Sequence, residues 1–97
     1  MLKKRKSKQK NKVTVTFTLP PDFASESLQL AGDFTDWEPS RAFKRQKDGS
    51  WRTSVELGPG REYQFRYLAD GHRWVNEPEA DRYVPNPYGE QNSIVVT

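Results

Sequence analysis

The sequence predicts an all-β fold, an antiparallel sandwich of short strands. Three observations point that way. Apolar and polar residues alternate with period two in several runs. Gly and Pro turn signals separate those runs at close spacing. No stretch long enough to judge carries a helical period.

The first twelve residues hold Lys3, Lys4, Arg5, Lys6, Lys8, Lys10 and Lys12 and no acid. Self-repulsion and few apolar groups predict a disordered basic tail over 1–12. From Val13 the pattern changes. Val13, Val15, Phe17 and Leu19 alternate with three threonines, a half-buried strand that Pro20-Pro21 ends. Leu28 and Leu30 mark a second strand before Gly32-Asp33, and Ala42 to Lys47 a third. The latter runs into Asp48-Gly49, a strong hairpin signal. Out of that turn Trp51, Thr53, Val55 and Leu57 share one phase. After Gly58-Pro59-Gly60, Tyr63, Phe65, Tyr67 and Ala69 alternate against Glu62, Gln64, Arg66 and Leu68. Asp70-Gly71 turns the chain again, a proline-rich loop spans Pro78 to Tyr88, and Ser93 to Thr97 forms the last strand. Six or seven such strands over 13–97 predict one immunoglobulin-like (E-set) sandwich, without the Cys…Trp…Cys hallmark of antibody domains.

Composition bounds the rest. Ninety-seven residues make one domain, and the absence of cysteine leaves apolar packing to hold it. Hydrophobic content is only 33%, but three Trp, four Tyr and five Phe compensate, since each aromatic buries about 150–250 Å². Seven of the sixteen basic residues lie in the tail, leaving nine against all thirteen acids. The folded part is therefore mildly acidic, which argues against a nucleic-acid-binding fold with a basic face. The basic start lacks the apolar stretch of a secretion signal, and no run is long enough for a membrane span. A soluble, unexported, cytoplasmic protein is expected.

Few residues suit catalysis. His72 is the sole histidine and sits on a turn, where an exposed hairpin residue is the ordinary reading. One histidine and no cysteine exclude the usual zinc sets. Nucleophile-elbow and phosphate-loop patterns are missing. The acid pairs Asp33/Asp36, Glu77/Glu79 and Asp70/Asp81 lie in polar, turn-rich segments and are expected to be solvated. The expectation is a non-catalytic domain with no cofactor and no metal.

The tryptophans divide into two kinds. Trp51 shares the phase of Val55 and Leu57 and should point inward. Trp37 sits in the polar loop Gly32-Asp33-Phe34-Thr35-Asp36-Trp37-Glu38-Pro39, and Trp74 follows a hairpin tip. A flat indole suits the apolar C–H face of a pyranose. Pattern alone leaves Trp37 and Trp74 equally open to packing and to binding. Arg66 lies on the polar phase of its strand, so its guanidinium should face outward, where a surface ion pair is the ordinary reading. Asn92 shares the phase of Ile94 and Val96, where capping of the strand edge is the ordinary reading.

Four segments in order carry a resemblance: Leu30 to Trp37, Tyr63 to Gly71, Trp74 to Pro78, and Asn92 to Val96. Together they resemble family-48 carbohydrate-binding modules, which include the glycogen-binding domains of AMP-activated protein kinase β subunits. The amino-terminal domains of branching and debranching enzymes belong there too. The likeness spans about Val15 to Thr97. It implies an immunoglobulin-like sandwich that binds α-1,4-glucan without cleaving it. It further implies that Trp37 and Trp74 hold the sugar, that Arg66 and Asn92 match the family's polar contacts, and that Tyr88 falls near the side chain that enters a cyclic glucan. The chain departs from the pattern at Glu90, where the kinase module has threonine, and at Tyr88, larger than the usual leucine. One residue more separates the turn glycine from Trp74.

Three readings of function follow. The first is binding of a glycogen- or starch-like α-glucan. The second is a protein-interaction module serving a glucan-active enzyme or kinase subunit, its contact patch around Leu68 and Tyr88. The third is non-specific attachment of the basic tail to polyanions, either nucleic acid or an anionic membrane surface.

Overall fold

A computed structural model describes residues 2–7 and 11–97. They form two antiparallel sheets packed as an immunoglobulin-like β-sandwich. The strands are β1 (Leu2–Ser7), β2 (Lys12–Leu19), β3 (Leu28–Gly32), β4 (Arg41–Ala42), β5 (Lys44–Arg45), β6 (Trp51–Leu57), β7 (Glu62–Ala69), β8 (Arg73–Val75), β9 (Arg82–Pro85) and β10 (Gln91–Val96). One sheet runs β1-β2-β6-β5; the other runs β4-β3-β7-β10-β9, with β8 added beside β7.

Alternation decides what faces inward. Val13, Val15, Phe17 and Leu19 of β2 and Trp51, Val55 and Leu57 of β6 meet Leu28 and Leu30 of β3 and Phe65, Tyr67 and Ala69 of β7. Tyr67 is the hub. Phe17, Phe23, Phe43 and Phe65 all meet its ring edge to face, with centroids 5.6 to 6.3 Å away. Such pairs contribute about 0.5–1.5 kcal/mol each beyond their burial. Trp51 is 4% exposed, as its phase predicts, and the Arg45 guanidinium lies 4.1 Å over its ring.

The strand expected over Ala42 to Lys47 is divided. Arg41–Ala42 pairs with β3, Lys44–Arg45 pairs with β6, and the chain changes sheets between them. Phe43 stands at the crossing, buried, its N–H donated to Leu28 O at 2.8 Å. The proline-rich loop also contains more structure than its composition suggests: β9 lies within it and pairs with β10.

The basic tail is corrected over most of its length. Leu2–Ser7 is a strand paired residue for residue with β2, from Leu2 opposite Phe17 to Ser7 opposite Lys12. Without it β2 would present an unpaired edge, and β1 fills that ladder. Leu2 packs against the core, and Lys4 Nζ reaches Asp81 Oδ2 at 2.6 Å, just ahead of β9 in the opposite sheet. Local composition is therefore overridden by a tertiary edge. Disorder at Met1, Lys8, Gln9 and Lys10 falls outside the described residues.

The acid pairs need correction too. Glu77 is wholly buried, accepting from Tyr67 Oη at 2.9 Å and from Glu79 N at 2.6 Å. Asp70 caps a loop rather than facing solvent, accepting from the backbone of Ser25, Glu26 and Ser27.

Candidate functional site

Gln64 and Arg66 alternate with inward-facing Phe65 and Tyr67, so they stand on the outer face of β7. A cavity of about 730 Å³ opens over them. Trp37, Trp74 and Tyr88 line it, as do Asn86, Pro87, Glu90 and Asn92. All five residues singled out in the sequence thus share one groove: Trp37, Arg66, Trp74, Tyr88 and Asn92.

Trp37 owes its position to a strained loop. Gly32 at the end of β3 lies so close to β7 that a Cβ would come 2.5 Å from Gln64 O, so only glycine fits. The Thr35 hydroxyl then takes the Gly32 N–H at 3.0 Å, and Trp37 N donates back to Gly32 O at 2.9 Å. Closing that loop puts Asp36 and Trp37 in the left-handed region, at φ 52° and 61°. For a bulky aromatic this conformation is costly, by about 1–2 kcal/mol. Asp33 secures the result. One carboxylate oxygen accepts Trp37 Nε1 at 3.1 Å and the other accepts Gln64 N at 2.8 Å. The indole remains 36% exposed.

Trp74 arrives by a tighter route. Asp70 and Gly71 take positive φ of 55° and 77° in the connection Asp70-Gly71-His72, and β8 returns along β7 with Trp74 opposite Leu68. Its ring is 42% exposed. Leu68 beneath it is buried, which corrects the contact patch expected around Leu68 and Tyr88: only Tyr88 is available there.

Between the rings lies a polar floor. Arg66 donates from Nη1 to Glu90 Oε1 at 2.7 Å and from Nη2 to Trp74 O at 3.4 Å. Its Nε is buried and has no partner among the described residues. Arg66 is thus an ion-paired residue that retains a free donor. Asn92 is buried rather than an edge cap, donating to Gln64 Oε1 at 3.0 Å and accepting from Asn86 Nδ2 at 3.2 Å. The Asn86 Oδ1 also accepts the N–H groups of Tyr88 and Glu90, at 3.0 and 3.1 Å. That small loop holds Tyr88 out into solvent, 88% exposed.

Several participants escaped the sequence reading. Gln64 shares the phase of Arg66, which was signal enough to find it. Asn86 opens an Asn-Pro-Tyr-Gly turn, an arrangement in which a side-chain amide commonly organises the backbone. The role of Asp33 depends on a contact with β7, thirty-one positions away in sequence, and had no local signature.

The fold and groove define an immunoglobulin-like sandwich with an aromatic-lined recess on one sheet. No family model matches the chain. Among curated proteins it is similar to Protein FLOURY ENDOSPERM 6, chloroplastic, of Oryza sativa subsp. japonica. The two are 36% identical over 74 residues, 76% of this chain and 13% of that protein, so the chain spans a small part of that relative's length.

Proposed function

We propose that this domain is a non-catalytic module that binds an α-1,4-glucan in the groove between Trp37 and Trp74, as family-48 carbohydrate-binding modules do. The observation that carries the reading is the convergence of two partly exposed indoles on one cavity over a floor of amides and an arginine. Their loops share no sequence neighbourhood, and one of them is strained at the tryptophan itself. The Arg66 guanidinium beneath the rings adds support, because its Nη groups form a hydrogen-bonding floor of the kind that meets sugar hydroxyls. The rice relative's name, which refers to a floury endosperm, fits a starch-like ligand.

Affinity follows from the same geometry. Stacking on preformed rings with two or three hydrogen bonds corresponds to a Kd between about 1 mM and about 1 μM. Titration with maltoheptaose or a cyclic maltodextrin, followed by indole N–H resonances, should shift Trp37 and Trp74 and spare Trp51. Static indole signals at tens of millimolar sugar end this reading.

A second reading has its own support. Trp, Tyr and Arg are the residue types that dominate protein–protein contacts, and here they surround one recess with Tyr88 almost fully exposed. A glucan-active enzyme or kinase subunit seated there would make the module regulatory. Recovery of such a partner on the immobilised domain, with no glucan affinity, supports that alternative.

A further inference from the structure

The opposite face of the sandwich, the outer side of β1-β2-β6-β5, has a different character. Pairing register places Lys3 and Arg5 beside Thr16 and Thr14, Lys12 beside Ser7, and Lys44 beside Arg52, which itself pairs with Thr18. Since Val13, Val15, Phe17 and Leu19 point inward, all five cations stand on the outer face, and each is exposed. One carboxylate, Glu56, shares it. None of the five cations is in an ion pair among the described residues. They surround a patch of threonines about 20 Å long and about 14 Å wide, judging by strand rise and spacing.

We propose that this face docks on an anionic bilayer surface, leaving the groove on the far side free. Charge complementarity selects an anionic partner, since five cations outside any ion pair stand against Glu56 and, beside Arg52, Asp48 of the adjoining hairpin, while the chain from Val13 onward is acidic as a whole. Shape selects a plane. The strands of this face carry short threonine and serine side chains between the cations and, among the described residues, no aromatic to stack on a base. Nor is there an apolar side chain to insert: Leu2 turns into the core, and no helix among the described residues is long and apolar enough to cross a membrane. Attachment is therefore electrostatic, reversible and sensitive to salt. Masking by Glu90 or by sugar plays no part, because the groove faces the other way. A domain occupied on both sides would tether glucan to a membrane.

Sedimentation of the full chain with vesicles of phosphatidylcholine containing about 30% phosphatidylglycerol tests the proposal. Binding is expected at low salt, absent from pure phosphatidylcholine, and released at about 0.5 M salt. Lys3→Glu with Arg52→Glu should lower vesicle partitioning by about thirtyfold or more, at about fivefold per cation removed. Both positions are exposed, so circular dichroism should be unaltered; Lys44→Glu gives an independent check with a smaller loss. Glucan affinity should be the same for the charge variants and wild type. Equal partitioning of the double variant, or duplex DNA binding more tightly than the vesicles and displacing them, overturns the proposal.

Discussion

The two outer faces of this sandwich are built from strands of the same period, yet they are held in different ways. On the six-stranded sheet the side chains under the groove are fixed by one another: Asn92 by Gln64 and Asn86, Arg66 by Glu90, Trp37 by Asp33. On the four-stranded sheet the cations extend freely over threonines. A recess that must match the outline of one ligand needs side chains with few alternatives, so that little entropy is lost on binding. A face that answers only to net charge needs no such order. The contrast teaches where substitutions should matter.

The largest effect is expected below the groove. Glu77→Ala strands the Tyr67 hydroxyl in the interior, removes the acceptor of the Glu79 N–H, and should destabilise the fold by roughly 3 kcal/mol. Urea unfolding measures it, and a loss under about 1 kcal/mol would mean that this network contributes little to stability. Next come the rings themselves. Trp37→Ala or Trp74→Ala should each weaken maltoheptaose binding about tenfold, while stability falls by only about 1 kcal/mol. Calorimetric titration beside thermal melts separates the two quantities. If both variants bind as wild type does, the groove is not the sugar site.

Asp33→Ala sharpens the comparison by touching a ring only through its support. With Trp37 Nε1 and Gln64 N both released, affinity should drop about threefold to fivefold and stability by about 1 kcal/mol. An unchanged affinity would show that the loop needs no brace.

Acid probes groups away from either face. The Asp70 carboxyl is held below its ordinary value by the N–H of Glu26, then those of Ser25 and Ser27. Asp48 is held down by the Ser50 hydroxyl and N–H. For Asp81 burial pushes upward, but Lys4 and the Val96 N–H outweigh it and the net shift is downward. Each carboxylate therefore stabilises the fold above its unfolded value near about 3.9, and that contribution is lost as pH falls through the lower folded value. Stability should be level between about pH 7 and about pH 5 and decline below about pH 4. Asp70→Asn should flatten the decline; an identical acid limb would show that the loop cap is not responsible.

The smallest effect belongs to the threonine face. Thr16→Val should alter stability by no more than about 0.5 kcal/mol and leave sugar affinity unchanged. A measurable loss of sugar binding there would mean that the two faces are coupled through the core.

Much of the fold was legible in the sequence because period-two alternation reports directly on which side a residue faces. Val13 to Leu19 and Tyr63 to Ala69 could be placed strand by strand, and Trp51 could be assigned inward from its phase alone. What escaped depends on partners distant in the chain. Leu2–Ser7 has the composition of a solvated leader, and only the vacant edge of β2 makes it a strand. Glu77 lies in a stretch of prolines and acids, and the Tyr67 hydroxyl, distant in sequence, meets it inside. The site divides in the same way. Trp37, Trp74, Arg66, Asn92 and Tyr88 were singled out in advance, partly by phase and partly by resemblance. Their meeting in one recess required the strained turn after Gly32 and the Asn86 loop, neither of which has a periodic signature.

The first strand has one more consequence, for how copies of this protein meet one another. It forms the rim of its sheet, where an unpaired row of backbone groups would invite a neighbouring molecule to add on. Lys3, Lys4, Arg5 and Lys6 put positive charge on both sides of that rim, so two rims approaching each other repel. A chain trimmed at its amino terminus would instead bare β2 with its valines, and clumping rather than unfolding is the failure to look for.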